Sequence, residues 1–182
     1  MSLRIRALPR RIPDPVRCWA LRTLFRSTAQ AFGAPMPHLR RHSADAILAS
    51  YAAFTDEQAR GVAADPVRRA QVERRLHDHT ERLGRRVRLA LGVRSTTDAL
   101  EVAHRLYELI GIDLSADERG DVVVTRCAFA ARYSPDVCRL MSASDAGLLA
   151  GLTDGGRLAF TERITSGSPA CVATLTVDRG GR

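Results

Sequence analysis

Apolar residues recur at helical spacing up to about Gly111 and then give way to β-branched runs, so helices should precede a sheet. Asp14-Pro15 reads as an N-cap with proline at the first helical position. Val16, Trp19, Ala20, Leu24 and Phe25 then fall on or near one face, with Arg17, Arg22 and Arg26 among the polar positions. Gly33-Ala34-Pro35-Met36-Pro37 ends this helix in an irregular linker. A second helix begins at Ser43 or Asp45 and carries Ile47, Leu48, Tyr51 and Phe54 at helical spacing. Asp65-Pro66 opens a third, with an apolar stripe of Ala70, Leu76, Leu83, Val87 and Leu91 before a stop at Gly92. Its other faces are dense in Arg and Glu, the usual composition of a solvated surface. A fourth helix starts at Thr96-Thr97-Asp98 and buries Leu100, Ala103, Leu106 or Tyr107, and Ile110 before Gly111.

Beyond Gly111, Ile112 to Leu114 and Val122 to Thr125 read as strands separated by a turn-rich stretch. Ser134-Pro135-Asp136 caps a further helix running to about Gly151. Arg157 to Thr165 and Ala170 to Val177 form a hairpin, whose short loop demands antiparallel pairing. The expected fold class is α+β, with N-terminal helices followed by an antiparallel sheet and a helix packed on it. The expected organisation is a basic N-terminal arm over 1–42 containing the first helix, then a single α+β domain over 43–182. That domain divides into a helical part, 43–111, and a cysteine-bearing sheet and helix unit, 112–177.

Composition narrows the classes of function. The apolar fraction of 45% is ordinary for a globular chain, and no run approaches the ~18 apolar residues that a membrane span needs. The N-terminus is basic but no apolar core of a leader peptide follows, so a bacterial, cytoplasmic setting is expected. The net charge of +8 suggests nucleic acid until its distribution is considered. Residues 1–43 hold nine arginines and one acid, Asp14, whereas the remainder is balanced at nineteen of each sign. Every basic residue is arginine, and no aromatic-interleaved stripe or docking motif appears, so no nucleic-acid partner is expected. The first helix could lie on an anionic membrane surface, but docking on its own domain, or on a second copy or a partner protein through residues 14–32, is the more ordinary use of such a face.

Candidate chemistry lies in the last third. Of the four cysteines, Cys18 stands apart, and Cys127, Cys138 and Cys171 are too widely spaced for a redox pair or a zinc ribbon. Cys127 ends a strand, Cys138 falls early in the next helix, and Asp145 lies two turns later on the same side. Cys171 begins the last strand, opposite Glu162 and Arg163. A thiolate is a strong nucleophile or a soft metal ligand, and a nearby carboxylate can move protons. Buried thiols are more often small core residues, and each cysteine alone carries that plain reading. His77 and His79 point about 200° apart on a helix and cannot share a metal, and His104 stands alone in mid-helix.

The run Arg126-Cys127-Ala128-Phe129-Ala130, then Val137-Cys138 with Asp145-Ala146-Gly147-Leu148, then Phe160-Thr161-Glu162-Arg163, Gly167 and Cys171, resembles the L-2-amino-thiazoline-4-carboxylic acid hydrolase family. The resemblance covers about residues 121–177. It implies a cofactor-independent hydrolase that opens a small cyclic amidine or thiazoline carboxylate to a carbamoyl-cysteine-type product. In that scheme Asp145 or Glu162 handles protons, and Cys127, Cys138 or Cys171 is nucleophile or pocket wall. Arg126, Arg139 or Arg163 would hold the substrate carboxylate, with Ser168 beside it where the family has an acid after glycine. The same plan is similar to 4-vinyl-reductase-type ligand-sensing domains, in which a glutamate and cysteines hold zinc. That similarity implies the alternative of a small-ligand or zinc-binding module without catalysis, although Thr165 stands where a further cysteine would be wanted.

Overall fold

The computed structural model describes residues 12–39, 41–117 and 119–177. The stretch 1–13 is basic and interrupted by proline, a composition that predicts a fraying or surface-lying segment, and its residues 1–11 fall outside the described ones. Four helices come first: α1 Asp14–Phe32, α2 Ala44–Ala63, α3 Pro66–Leu91 and α4 Thr96–Leu109. Strands β1 Ile112–Ala116 and β2 Asp121–Cys127 follow, then α5 Pro135–Thr153, β3 Arg157–Glu162, a 3-10 turn at Ile164–Ser166 and β4 Cys171–Thr176. The strands form one antiparallel sheet in the order β1-β2-β4-β3. The α+β architecture read from the sequence is the one observed.

Local chemistry explains where the helices start and stop. Ser43 Oγ accepts from the Ala46 amide, Asp65 Oδ1 from Val67 and Arg68, Ser95 Oγ from Asp98 and Ser134 Oγ from Val137. Each cap satisfies amide groups that the first helical turn leaves without a carbonyl partner. Gly92 ends α3 in the left-handed region at φ 66°, where a side chain would be strained. Helix α1 differs from expectation at its start. Pro13 occupies the cap position and Asp14 is already helical, with no side-chain cap.

The face that α1 buries also differs from the one expected. Leu21, Phe25, Thr28, Ala29 and Ala31 are buried, whereas Val16 and Trp19 are exposed. Phe25 packs edge-on to Tyr51 at 5.4 Å and against Phe54 at 5.1 Å. Arg17 donates from Nε to the Leu109 carbonyl at 3.0 Å and pairs with Asp45 at 2.7 Å. The helix placed in a basic arm is therefore a wall of the common core, and nothing in the packing separates it from the residues after 42.

Helices α3 and α5 make the most extensive contact in the molecule. The buried line on α3 is Val72, Leu76, Thr80 and Gly84, not the stripe through Ala70 and Leu91. Glycines permit the approach. A Cβ on Gly84 would stand 2.4 Å from the Leu148 carbonyl oxygen, and one on Gly151 would stand 2.2 Å from that of Glu81. Against the other side of α5 lies the sheet, whose inward residues Leu114, Val122, Val124, Cys171, Ala173 and Leu175 alternate along the strands as period-2 packing requires.

Candidate ligand-binding site

Helices α1, α3, α4 and α5 enclose a cavity of about 210 Å³, closed at its sheet end by Ile112, Cys127, Phe129 and Tyr133. Its walls are mostly aliphatic: Leu24, Leu83, Val87, Leu106 and Leu148 among them. Trp19 lines it while 68% exposed, so the cavity reaches the surface beside α1. Helix α5 contributes Cys138, Met141, Ser144, Asp145 and Leu148, the face that a seven-residue spacing selects.

Asp145 is the one charged residue in this lining. Among the described residues it accepts a single hydrogen bond, on Oδ1 from the Tyr107 hydroxyl at 2.7 Å. Burial pushes its carboxyl up to about 6, against the opposing pull of Tyr107 and the Arg163 guanidinium. Tyr107 is raised well above the ordinary phenol value by burial and by the Asp145 charge, and so remains the donor in this pair. Two further phenols lie in the wall. Tyr51 meets Thr28 at 3.2 Å, and Tyr133 meets Thr55 in a short hydroxyl contact. Burial raises Tyr51 to about 12 and drives Tyr133 higher still. Ser144 Oγ, also in the lining, is buried without a hydrogen-bond partner.

Cys127 and Cys138 reach the cavity and Cys171 does not line it. The three thiols are near enough to interact electrostatically with one another. Burial raises Cys127 to about 11 and also raises Cys138, against the smaller opposing pull of the Phe129 backbone on the first and of Thr165 and the Arg163 cation on the second. At neutral pH both are thiols, the weak form of the nucleophile. Cys171 Sγ accepts from the Ile164 amide at 3.4 Å behind the β3–β4 connection. No three of Cys127, Cys138, Asp145, Glu162 and Cys171 bring their ligand atoms within 4.8 Å of one another, so these residues do not form the compact zinc set that the similarity to ligand-sensing domains implied. Among the described residues the one such group is His77, Asp78 and Glu81 on the outer face of α3, where Glu81 already pairs with Arg85 at 2.6 Å.

The structure sends the remaining candidates elsewhere. Arg126 forms a two-pronged pair with Asp113 on the outer face of β1 and β2, at 2.8 and 3.1 Å, and is 71% exposed. Arg139 pairs with Asp136 at the exposed start of α5. Glu162 is exposed at the end of β3, and Ser168 lies in the following loop. Arg163 comes nearer: it donates to Ser142 Oγ at 2.9 Å and lies 4.4 Å over the Phe160 ring, outside the cavity lining. His104, expected to stand alone, meets the Leu114 carbonyl through Nδ1 at 2.6 Å. A more open groove of about 620 Å³ between α2 and residues 128–132 holds none of the candidate residues.

Sequence reasoning missed Tyr107, Tyr133, Trp19 and Ser144. Tyr107 was visible as one of two choices for a core position, and nothing local distinguishes a buried tyrosine from one that serves an acid. A scan against protein-family models found no match to this chain, and a search of curated proteins found none. Function therefore has to be argued from the cavity and its groups.

Proposed function

We propose that this protein binds a small, predominantly apolar molecule in the cavity between α1, α3, α4 and α5, anchored by a hydrogen-bond donor on the ligand to Asp145. The observation that carries this reading is one under-bonded carboxylate in an otherwise apolar enclosure. Such a site gains affinity from its walls and orientation from the single polar group. At the packing density of protein interiors, ~0.74, about 210 Å³ holds roughly ten non-hydrogen atoms. The lining offers no arginine to a ligand carboxylate, and both of its thiols are protonated.

A specific observation favours a second reading. A carboxyl near 6 can both give and take a proton at neutral pH, the property that hydrolysis of a cyclic amidine requires of Asp145. Both readings are tested together. Amide NMR shifts on titration with p-cresol should converge on Tyr107, Cys127 and Asp145. Shifts scattered over the surface, or none, would refute the binding reading. Ring opening of 2-amino-thiazoline-4-carboxylate, lost in Asp145→Asn, would establish the hydrolase instead.

A further inference from the structure

The chain is poor in aromatic residues, with one tryptophan, three tyrosines and five phenylalanines. Their placement is far from even. The tryptophan and all three tyrosines line this one cavity, together with Phe129. Phe129 stacks on Tyr133 at 5.3 Å and meets Tyr51 edge-on at 5.9 Å, so these rings hold fixed orientations. Aromatic faces are negative, and a ring wall attracts cations strongly when water is excluded. The carboxylate of Asp145 stands in the same enclosure with one hydrogen bond among the described residues. The opposing charge nearest to Asp145, Arg163, is engaged by Ser142 and the Phe160 ring outside the lining.

We infer that the cavity selects a monocationic organic amine of roughly ten non-hydrogen atoms, its ammonium group on Asp145 and its body among the rings. This rests on the reading of the cavity as a ligand site and adds the charge of the ligand. It also distinguishes the ligand from an amino acid or other zwitterion, because a ligand carboxylate would find no cationic partner in the lining and would remain uncompensated. An apolar pocket without Asp145 would instead prefer the neutral molecule of the same shape.

The test uses three probes of one shape on the full chain: phenethylammonium, 2-phenylethanol and phenylacetate. Trp19, the single tryptophan and part of the cavity wall, reports binding by its fluorescence, and calorimetry gives an independent affinity. Phenethylammonium should bind at least tenfold tighter than 2-phenylethanol, with phenylacetate weakest. In Asp145→Asn the ratio of ammonium to alcohol should fall to near one while the alcohol binds within threefold of its original affinity. Phe129→Leu should weaken the ammonium more than the alcohol. Equal binding of ammonium and alcohol by the unsubstituted protein, or a preference that survives Asp145→Asn, would overturn the inference and leave the ligand site standing. No binding of any probe would overturn both.

Discussion

Two glycine-to-alanine substitutions within helices should change stability in opposite directions, because their surroundings differ. Intrinsic propensity favours alanine by up to about 1 kcal/mol at either position. Gly61, in α2, is exposed, and an added Cβ would meet nothing within 4 Å. Gly61→Ala should therefore stabilise by about 0.5 kcal/mol, less than the full amount because the position lies in the last turn. Gly147, in α5, faces α3 across the glycine crossing. Its Cβ would stand 2.2 Å from the His77 carbonyl oxygen, 2.4 Å from Thr80 Oγ1 and 2.8 Å from the His77 carbonyl carbon. Two of those atoms are backbone and cannot swing aside, so α5 must withdraw by about 1 Å to restore ordinary contact. Overpacking of this kind costs about 1–3 kcal/mol, and separating the helices sacrifices contacts along the whole crossing. The net change for Gly147→Ala should be a loss of about 2 kcal/mol. For a chain of this size that lowers the melting temperature by about 4–8 °C, against a rise of about 1–2 °C for Gly61→Ala. Thermal and urea unfolding of both variants beside the parent provide the measurement. Gly147→Ala with unchanged or improved stability would refute the close approach of α3 and α5.

Asp145 makes stability depend on pH with an unusual sign. Its folded value of about 6 lies above the ordinary 3.8, so the folded chain binds the extra proton, and its contribution is full below about pH 4 and lost as pH rises through 6. The other titratable groups that interact with it are Tyr107, Tyr51, Tyr133, Cys127 and Cys138, all raised by burial, and the Arg163 cation; His79, lowered by burial, also changes charge between acid and neutral pH, so comparison with Asp145→Asn isolates the part that belongs to Asp145. The unfolding free energy of the parent, from urea titrations, should fall over that window relative to Asp145→Asn by an amount on the order of 2 kcal/mol; parallel curves would sink the assignment. Tyr107→Phe removes the donor to Asp145 and should move the carboxyl above 6 in a carbon-13 titration, whereas an unchanged or lower value would show that the hydrogen bond does not bear on it. Cys127, raised to about 11, should react with iodoacetamide at pH 7.5 at least tenfold more slowly in the folded chain than in urea, read peptide by peptide by mass spectrometry. A faster folded-state reaction would restore the nucleophile reading.

Much of the fold was legible because its signals are local. Ser43, Asp65, Ser134 and Gly92 act within one turn of their own position, and the β-branched runs after Gly111 announce their period directly. The buried face of α3 was harder to read, since Thr80 and Gly84 carry no apolar signal and are buried only because α5 brings its own glycines against them. In α1 the count of arginines suggested an arm, while Leu21, Phe25, Thr28 and Ala29 lay at core spacing within the same segment. The cavity was half visible. Cys138, Met141 and Asp145 share a face by helical arithmetic, but Tyr51, Tyr107, Tyr133 and Trp19 come from distant elements, and no sequence window contains their convergence. The arginines were misplaced for a related reason: Arg126 and Arg139 adjoin cysteines in the chain, yet neighbours on a strand point to opposite faces, and Arg139 lies one helical step around from Cys138.

The glycine crossing decides which wall of the cavity can yield. Helix α5 carries Asp145 on one side and is gripped along the other, backbone against backbone, so it behaves as an anvil of fixed position. Helix α1 closes the opposite side with its outer surface in water and Trp19 at the rim. On the ligand-binding reading proposed above, entry and exit of a guest would fall to the α1 side, where Trp19 is exposed, while Asp145 stays with the clamped α5. A substitution at Gly147 or Gly151, neither of which lines the cavity, would shift α5 against α3 and so retune the cavity from outside it.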